Sequence, residues 1–199
     1  MRIIAASQNK HKLVEINAIT KDFGMELVTM RDAGLGDLEI EENGATCEEN
    51  SLIKAETVFR LTGEPVLADD TGLCVDALGG APGVHSARYS GIHGNDDANR
   101  ATLLKNLEGV PPEKRTAHFV CVITMIWPDG RKLVAKGICE GSIATEERGD
   151  QGFGYDRLFI PKGYDKTFAQ LGTDEKNQIG HRHNALVKLR EMLEQQTEL

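Results

Sequence analysis

The chain has 199 residues, 40% hydrophobic and 27% charged, long enough to bury a core without metal or disulfide staples. Its formal charge of −8 argues against a protein that coats nucleic acid, which needs a basic surface to displace counterions; an anionic ligand would need a local basic site. No apolar run nears the roughly 20 residues of a membrane span, and Met1-Arg2-Ile3-Ile4-Ala5 reads as the start of a strand and not as a signal peptide, so no membrane partner and a cytoplasmic location are expected.

In chain order, Ile3 to Ala6 reads as a short strand, and Lys10 to Thr20 places Leu13, Ile16 and Ile19 at helical spacing. Thr46 with Glu49 forms a capping box that opens a second helix, with Leu52, Ala55 and Phe59 as its apolar side. The apolar run Val66-Leu67-Ala68 then closes in two adjacent carboxylates, Asp69-Asp70, and passes into a glycine-rich stretch. Asn95 or Asp96 caps a third helix carrying Leu103, Leu104 and Leu107.

From Ala117 the period changes to two: Ala117, Phe119, Cys121, Ile123, Met125 and Trp127 alternate along one face of a long strand. Pro128-Asp129-Gly130 turns it, and Lys132 to Cys139 returns as a hairpin partner. Ala185, Leu189 and Met192 mark a last helix that ends in a polar tail. No repeat or long linker interrupts this order, which predicts a mixed sheet with helices around it. The four cysteines, 47, 74, 121 and 139, form no CxxC pair and read as small buried hydrophobes.

Several patches carry chemistry. Ser7-Gln8-Asn9-Lys10-His11-Lys12 joins the first strand to a helix start, where backbone N–H groups, the helix dipole and two lysines favour phosphate. Ser-x-Asn there is also a plain N-cap, and no Walker loop is present. Glu41-Glu42, then Glu48-Glu49-Asn50 and Lys54, form an acidic patch in which Asn50 and Lys54 share a helical face. It is a solvated face unless it meets Asp69 and Asp70, whose hard oxygens suit magnesium. Gly152-Phe153-Gly154-Tyr155-Asp156 lets backbone approach a flat ligand beside an aromatic ring, or else plugs the core at a turn. Lys176-Asn177 and Gly180-His181-Arg182-His183 lead into the last helix; His181 and His183 are two apart and point to different helix faces, which weakens a metal reading.

Together these stretches, above all ADDTGLCVDALGGAPGVHSARYSG at residues 68–91, resemble the inosine/xanthosine triphosphate pyrophosphatase family over nearly the whole chain. The resemblance implies one two-lobed α/β domain over 1–199, an elongated mixed β-sheet with flanking helices around a central cleft, and usually a homodimer. It implies Mg2+-dependent hydrolysis of non-standard purine nucleoside triphosphates (ITP, dITP, XTP) to the monophosphate and pyrophosphate. By the family pattern, Ser7, Asn9 and Lys12 go to the phosphates, with Gln8, Lys10, His11 and Lys54 beside them. Glu42 and Asp70 go to Mg2+, and Thr71 to the substrate. Phe153, Gly154, Tyr155, Asp156, Lys176, His181 and Arg182 go to the base. Asp70 is the family's general base, with Asp69 as a second catalytic carboxylate.

Three positions depart from the family pattern: Gln8 in place of a small residue, Arg157 in place of proline, and Gly180 in place of serine. Asp69-Asp70-Thr71 has the wrong spacing for an aspartyl-phosphate phosphatase. A noncatalytic purine nucleotide-binding module and a Maf-like pyrophosphatase of other specificity are the rival readings.

Overall fold

Strand β1 (Arg2–Ala5) pairs in parallel with β2 (Glu26–Thr29) and with the start of β3 (Val66–Val75). Antiparallel pairs add β4 (Pro82–Gly83) to β3, and β7 (Phe159–Pro161) to β6 (Lys132–Ile143). With β5 (Thr116–Ile126) the order is β2-β1-β3-β5-β6-β7, so the sheet is mixed, as expected. The structure, a computed structural model, describes residues 1–197, so the end of the polar tail and the side chain of Ile19 lie outside the described residues. The chain divides into two compact units: Met1–Asp70 with Cys121–Gly137 and the segment from Arg182, and Thr71–Val120 with Ile138–His181.

In the first unit, neighbouring strand residues go to different cores. Ile3, Leu67, Cys121, Ile123 and Met125 pack with Ile16 of α1 (Lys10–Thr20) and with Ala185, Leu186 and Leu189 of α6 (His181–Thr197). Ile4, Val66, Ala68 and Ile126 pack with Ala55 and Val58 of α2 (Cys47–Thr62). The pleat sends successive side chains to opposite faces, so α2 covers one face and α1 with α6 the other. Strand β5 is therefore buried on both sides, not on the single face its alternation suggested: Val122 and Thr124 are buried beside Cys121 and Ile123. The Thr124 and Ser51 hydroxyls, on β5 and α2, meet at 2.7 Å.

Helix α2 starts where the sequence places it, but its cap and its buried face differ. Thr46 Oγ1 accepts from Glu49 N, while Glu49 Oε2 accepts from the N–H of Ala45, one residue ahead of the cap. Its buried stripe holds Asn50, Ser51 and Lys54 with Ala55 and Val58; Leu52 and Phe59 are only half-buried. Polar side chains occupy an inward face here because they have fixed partners, described below.

A larger difference concerns β3. It does not stop at Asp69-Asp70 but runs through both aspartates to Val75. Isolated buried carboxylates would break a strand, and these persist because each has cationic partners.

In the second unit, Leu73 and Val75 of β3, Phe119 of β5 and Ile143 of β6 pack with Leu103 and Leu107. Leu103 lies in α3 (Asp96–Asn106) and Leu107 just after it; Asn95 caps the helix by accepting from Ala98 N at 3.0 Å. The rings of Phe119, Phe159 and Phe168 lie 4.7 to 6.2 Å apart, the last on the short helix α4 (Phe168–Leu171). Helix α5 (Thr173–Ile179) follows at once. None of the four cysteines is in a disulfide; Cys47, Cys121 and Cys139 are buried and Cys74 is half-buried. Among the described residues no helix is long and apolar enough to cross a membrane.

Candidate functional site

In the first unit, the turn from β1 into α1 is held by its own side chains. Asn9 Oδ1 accepts from the N–H groups of His11 and Lys12 at 3.0 and 3.2 Å, and Ser7 Oγ accepts from Asn9 N. Asn9 is thus the N-cap, and two N–H groups expected to be open to phosphate are already used. Gln8 is a staple: its Nε2 donates to the carbonyls of Gly36 and Leu38 at 3.1 and 2.8 Å. Lys10 and His11 are exposed.

Lys12 Nζ lies 3.2 Å from Asp69 Oδ2, on the α1/α6 face of β3. The same oxygen accepts from Arg182 Nε and Nη2 at 3.4 and 3.3 Å, and Arg182 Nη1 pairs with Glu15. Charges therefore alternate Glu15, Arg182, Asp69, Lys12. Burial works to raise the Asp69 carboxyl, but Lys12, Arg182 and Lys54 outweigh it and hold it well below the usual carboxylate range. Burial likewise opposes the Arg182 charge, and Glu15 and Asp69 hold it above its ordinary value. The family pattern puts Arg182 at the base; its guanidinium here pairs with these two carboxylates. Glu15 was missed, though Lys12, Glu15 and Ile16 share one helix face by their spacing.

Asp70 points to the other face of β3. Its Oδ1 and Glu42 Oε2 accept from Lys54 Nζ at 2.9 and 3.0 Å. Burial works to lower the Lys54 pKa, and Asp70, Asp69 and Glu42 together raise it above the ordinary lysine value. Asn50, one turn earlier on α2, fixes the segment that carries Glu42: its Oδ1 accepts from Gly44 N at 2.8 Å. A Cβ at Gly44 would lie 2.6 Å from that oxygen, so the close approach needs glycine. Two hard carboxylate oxygens thus converge on one positive charge. That donor set fits Mg2+, which takes one or two carboxylates and fills its shell with water and phosphate oxygens. Among the described residues no group of three or more His, Cys, Asp or Glu side chains is placed to hold a metal alone.

In the second unit, Thr71 follows Asp70 on β3 and is half-buried. The loop at 152–156 is tied by Asp156, whose Oδ2 accepts from Phe153 N at 3.0 Å and from Lys176 Nζ at 2.7 Å. A Cβ on Gly152, at φ +79°, would reach within 2.2 Å of that same oxygen. Lys176 Nζ also sits 4.5 Å from the centroid of the half-buried Phe153 ring, a cation–π contact. Tyr155 goes to the core: burial pushes its phenol pKa up, and its hydroxyl donates to Ser86 O at 2.8 Å. His181 is buried with its ring stacked on Phe119 at 4.5 Å. Gly180 has extended backbone, yet a Cβ there would lie 2.7 Å from Lys176 O, a physical reason for glycine where serine is usual.

The sequence and the fold are shared with known proteins. The model of the Ham1 family matches residues 3–192. A Clostridium perfringens (strain 13 / Type A) protein named dITP/XTP pyrophosphatase is 46% identical over 198 residues, covering 96% of this chain and 97% of its own. A Bacillus subtilis (strain 168) protein of the same name is 45% identical over 191 residues, covering 96% of each chain. The solved structure of the Staphylococcus aureus Ham1 protein is similar with a TM-score of 0.86 at 40% identity, over 98% of this chain and 100% of that one. On a family match spanning almost its whole length, the chain belongs to the Ham1 family.

Proposed function

We propose that the protein hydrolyses non-standard purine nucleoside triphosphates, ITP, dITP and XTP, with water to the nucleoside monophosphate and pyrophosphate. The observation that carries this reading is the split environment of Asp69 and Asp70: adjacent carboxylates on opposite faces of β3, one held by Lys12 and Arg182, the other joined to Glu42 through Lys54. The names of the relatives point the same way.

In this reading Ser7 and Lys12 hold phosphate oxygens, and Glu42 with Asp70 would hold Mg2+. Bound there, the ion would draw charge from the phosphate oxygens. Asp70 orients and deprotonates the attacking water. Asp69, held by Lys12 and Arg182 on the other face of β3, sets the local potential. Arg182, tied to Glu15 and Asp69, keeps Asp69 in place. Thr71, Phe153, Gly154, Asp156, Lys176 and His181 serve the purine, Phe153 by stacking. Hypoxanthine and xanthine present an acceptor oxygen at C6 where adenine presents an NH2 donor, so a donor-lined purine end favours the former pair. Mg2+ as the ion, a homodimer and a cytoplasmic location belong to the same proposal.

The test is a panel of ITP, dITP, XTP, GTP and ATP with Mg2+, followed by separate detection of pyrophosphate and orthophosphate. Pyrophosphate release from ITP and XTP well above that from ATP is expected. Binding without release would make the protein a noncatalytic nucleotide-binding module, and orthophosphate as first product would refute the reaction.

A further inference from the structure

The N-terminal turn of α3 grips the loop that carries Phe153. Gly154 N donates to Asp96 Oδ2 at 2.8 Å, and Gly154 O accepts from Arg100 Nη1 at 2.8 Å, so both polar groups of one residue are held by one helix. The Arg100 guanidinium is itself fixed: Nε donates to Glu147 Oε1 at 3.0 Å, Nη2 pairs with Asp97, and the residue is 4% exposed. On the other side, Phe153 N and Phe153 O both bond Asp156, through its carboxylate and its N–H, at 3.0 and 3.1 Å. Phe153 is thus pinned before and after its own Cα, with its half-buried ring over the Lys176 ammonium. Gly154 at φ +59° supplies the left-handed turn that lets its N–H and C=O reach the same helix.

We infer that Arg100 and Asp96 are positioning residues for purine recognition: they hold the Gly152–Asp156 loop so that the Phe153 ring is preorganised to stack on the base. This rests on the assignment of Phe153 to the purine proposed above. A loop already fixed in its binding conformation loses less entropy when ligand binds, so the gain falls on affinity and not on the chemical step. Arginine suits the role because its planar fork presents separate N–H donors in fixed directions to a carbonyl and two carboxylates.

The experiment measures kcat and KM for ITP, and Ki for pyrophosphate, in wild type, Arg100→Ala, Phe153→Ala and the double variant. Arg100→Ala is expected to raise KM by about tenfold, the equivalent of roughly one charge-assisted hydrogen bond lost from the loop, with kcat within about twofold. Ki for pyrophosphate, which has no base, stays at the wild-type value. In the Phe153→Ala background the same substitution adds little, because its effect passes through the ring. Asp96→Ala raises KM in the same sense, and Asp96→Asn, which keeps an oxygen for the Gly154 N–H, recovers it; this pair decides the matter if Arg100→Ala fails to fold. An unmoved KM, a parallel rise in Ki for pyrophosphate, or a full additional rise in the Phe153→Ala background overturns the inference while leaving the activity standing. Wild-type protein that turns over no ITP refutes the activity, and the inference with it.

Discussion

Replacing Lys54 with methionine tests the acidic site directly. The ammonium is 8% exposed and accounts for both short contacts to Glu42 and Asp70, so its loss leaves two carboxylates facing each other. Removing one partner of a buried ion pair costs about 3–5 kcal/mol. The Glu42 side chain is 33% exposed against 9% for Asp70, so water recovers much of the Glu42 share and the expectation is the lower end, about 3 kcal/mol. For a chain of this size that corresponds to a fall in Tm of roughly 6–12 °C. If the two carboxylates also form the metal site, a divalent ion should replace the missing charge. Thermal melts of Lys54→Met across a Mg2+ titration should then recover a large part of the lost Tm, with wild type responding less because Lys54 already neutralises the pair. A variant that melts within about two degrees of wild type would show that the pair contributes little. A full loss of Tm with no Mg2+ response would refute the metal assignment of Glu42 and Asp70.

Asp70→Asn keeps an oxygen for Lys54 while removing a metal charge and the proton acceptor, so turnover should fall by orders of magnitude with an unchanged circular dichroism spectrum. Gly180→Ser, the family-typical residue, must displace the carbonyl of Lys176 and should cost about 1–3 kcal/mol, read as a fall in Tm. Burial and then Glu140 push the Cys139 thiol up to about 11, so the native protein should show slow alkylation there at pH 8, restored in urea. Because that folded value lies above the unfolded one of about 8.5, the thiol's contribution to stability is whole below pH about 8.5 and is lost as pH rises through about 11; Cys139→Ala should flatten that part of the stability profile. Arg182→Ala leaves Glu15 and Asp69 buried without their shared partner and should cost about 3–5 kcal/mol while lowering kcat/KM for ITP and ATP together. A collapse of the ITP to ATP ratio would instead put the guanidinium on the purine.

Local signals were legible where one interaction decides the outcome. The bounds of α1, Thr46 as the cap residue of α2, Asn95 as one of two cap candidates for α3, and the turn at Pro128-Asp129-Gly130 follow from neighbouring residues. What escaped depends on partners far along the chain. Lys54 and Asn50 look like a solvated face until Asp70 and Gly44 are set beside them. Glu15 shares a helix face with Ile16, but its partner Arg182 is 167 residues away, so nothing local shows what neutralises it. Nothing local marks Arg100, because Gly154 and Glu147 are invisible from its neighbours. Period-two alternation in β5 shows one buried face and cannot show that helices cover both.

The misreading at β3 follows from the same limit, and it bears on the chemistry. Two consecutive carboxylates look like a strand end because unpaired charge is not tolerated in a sheet interior. Inside a continuous strand they must instead diverge, one to each face, and each face must supply its own counter-charge. Lys12 and Arg182 on the α1/α6 side therefore hold the Asp69 carboxyl well below the usual carboxylate range, and Lys54 with Glu42 on the α2 side leaves Asp70 beside a second carboxylate. Glu42 and Asp70 would hold a metal ion from the α2 face, while the short contacts of Asp69 are with Lys12 and Arg182 on the other. The divergence thus separates the roles of the two aspartates: neutralising each in turn, Asp69→Asn against Asp70→Asn, should give a variant that loses stability first and one that loses turnover first. If both variants lost turnover equally at unchanged Tm, the two carboxylates would be acting on the same group, and the assignment by strand face would fail.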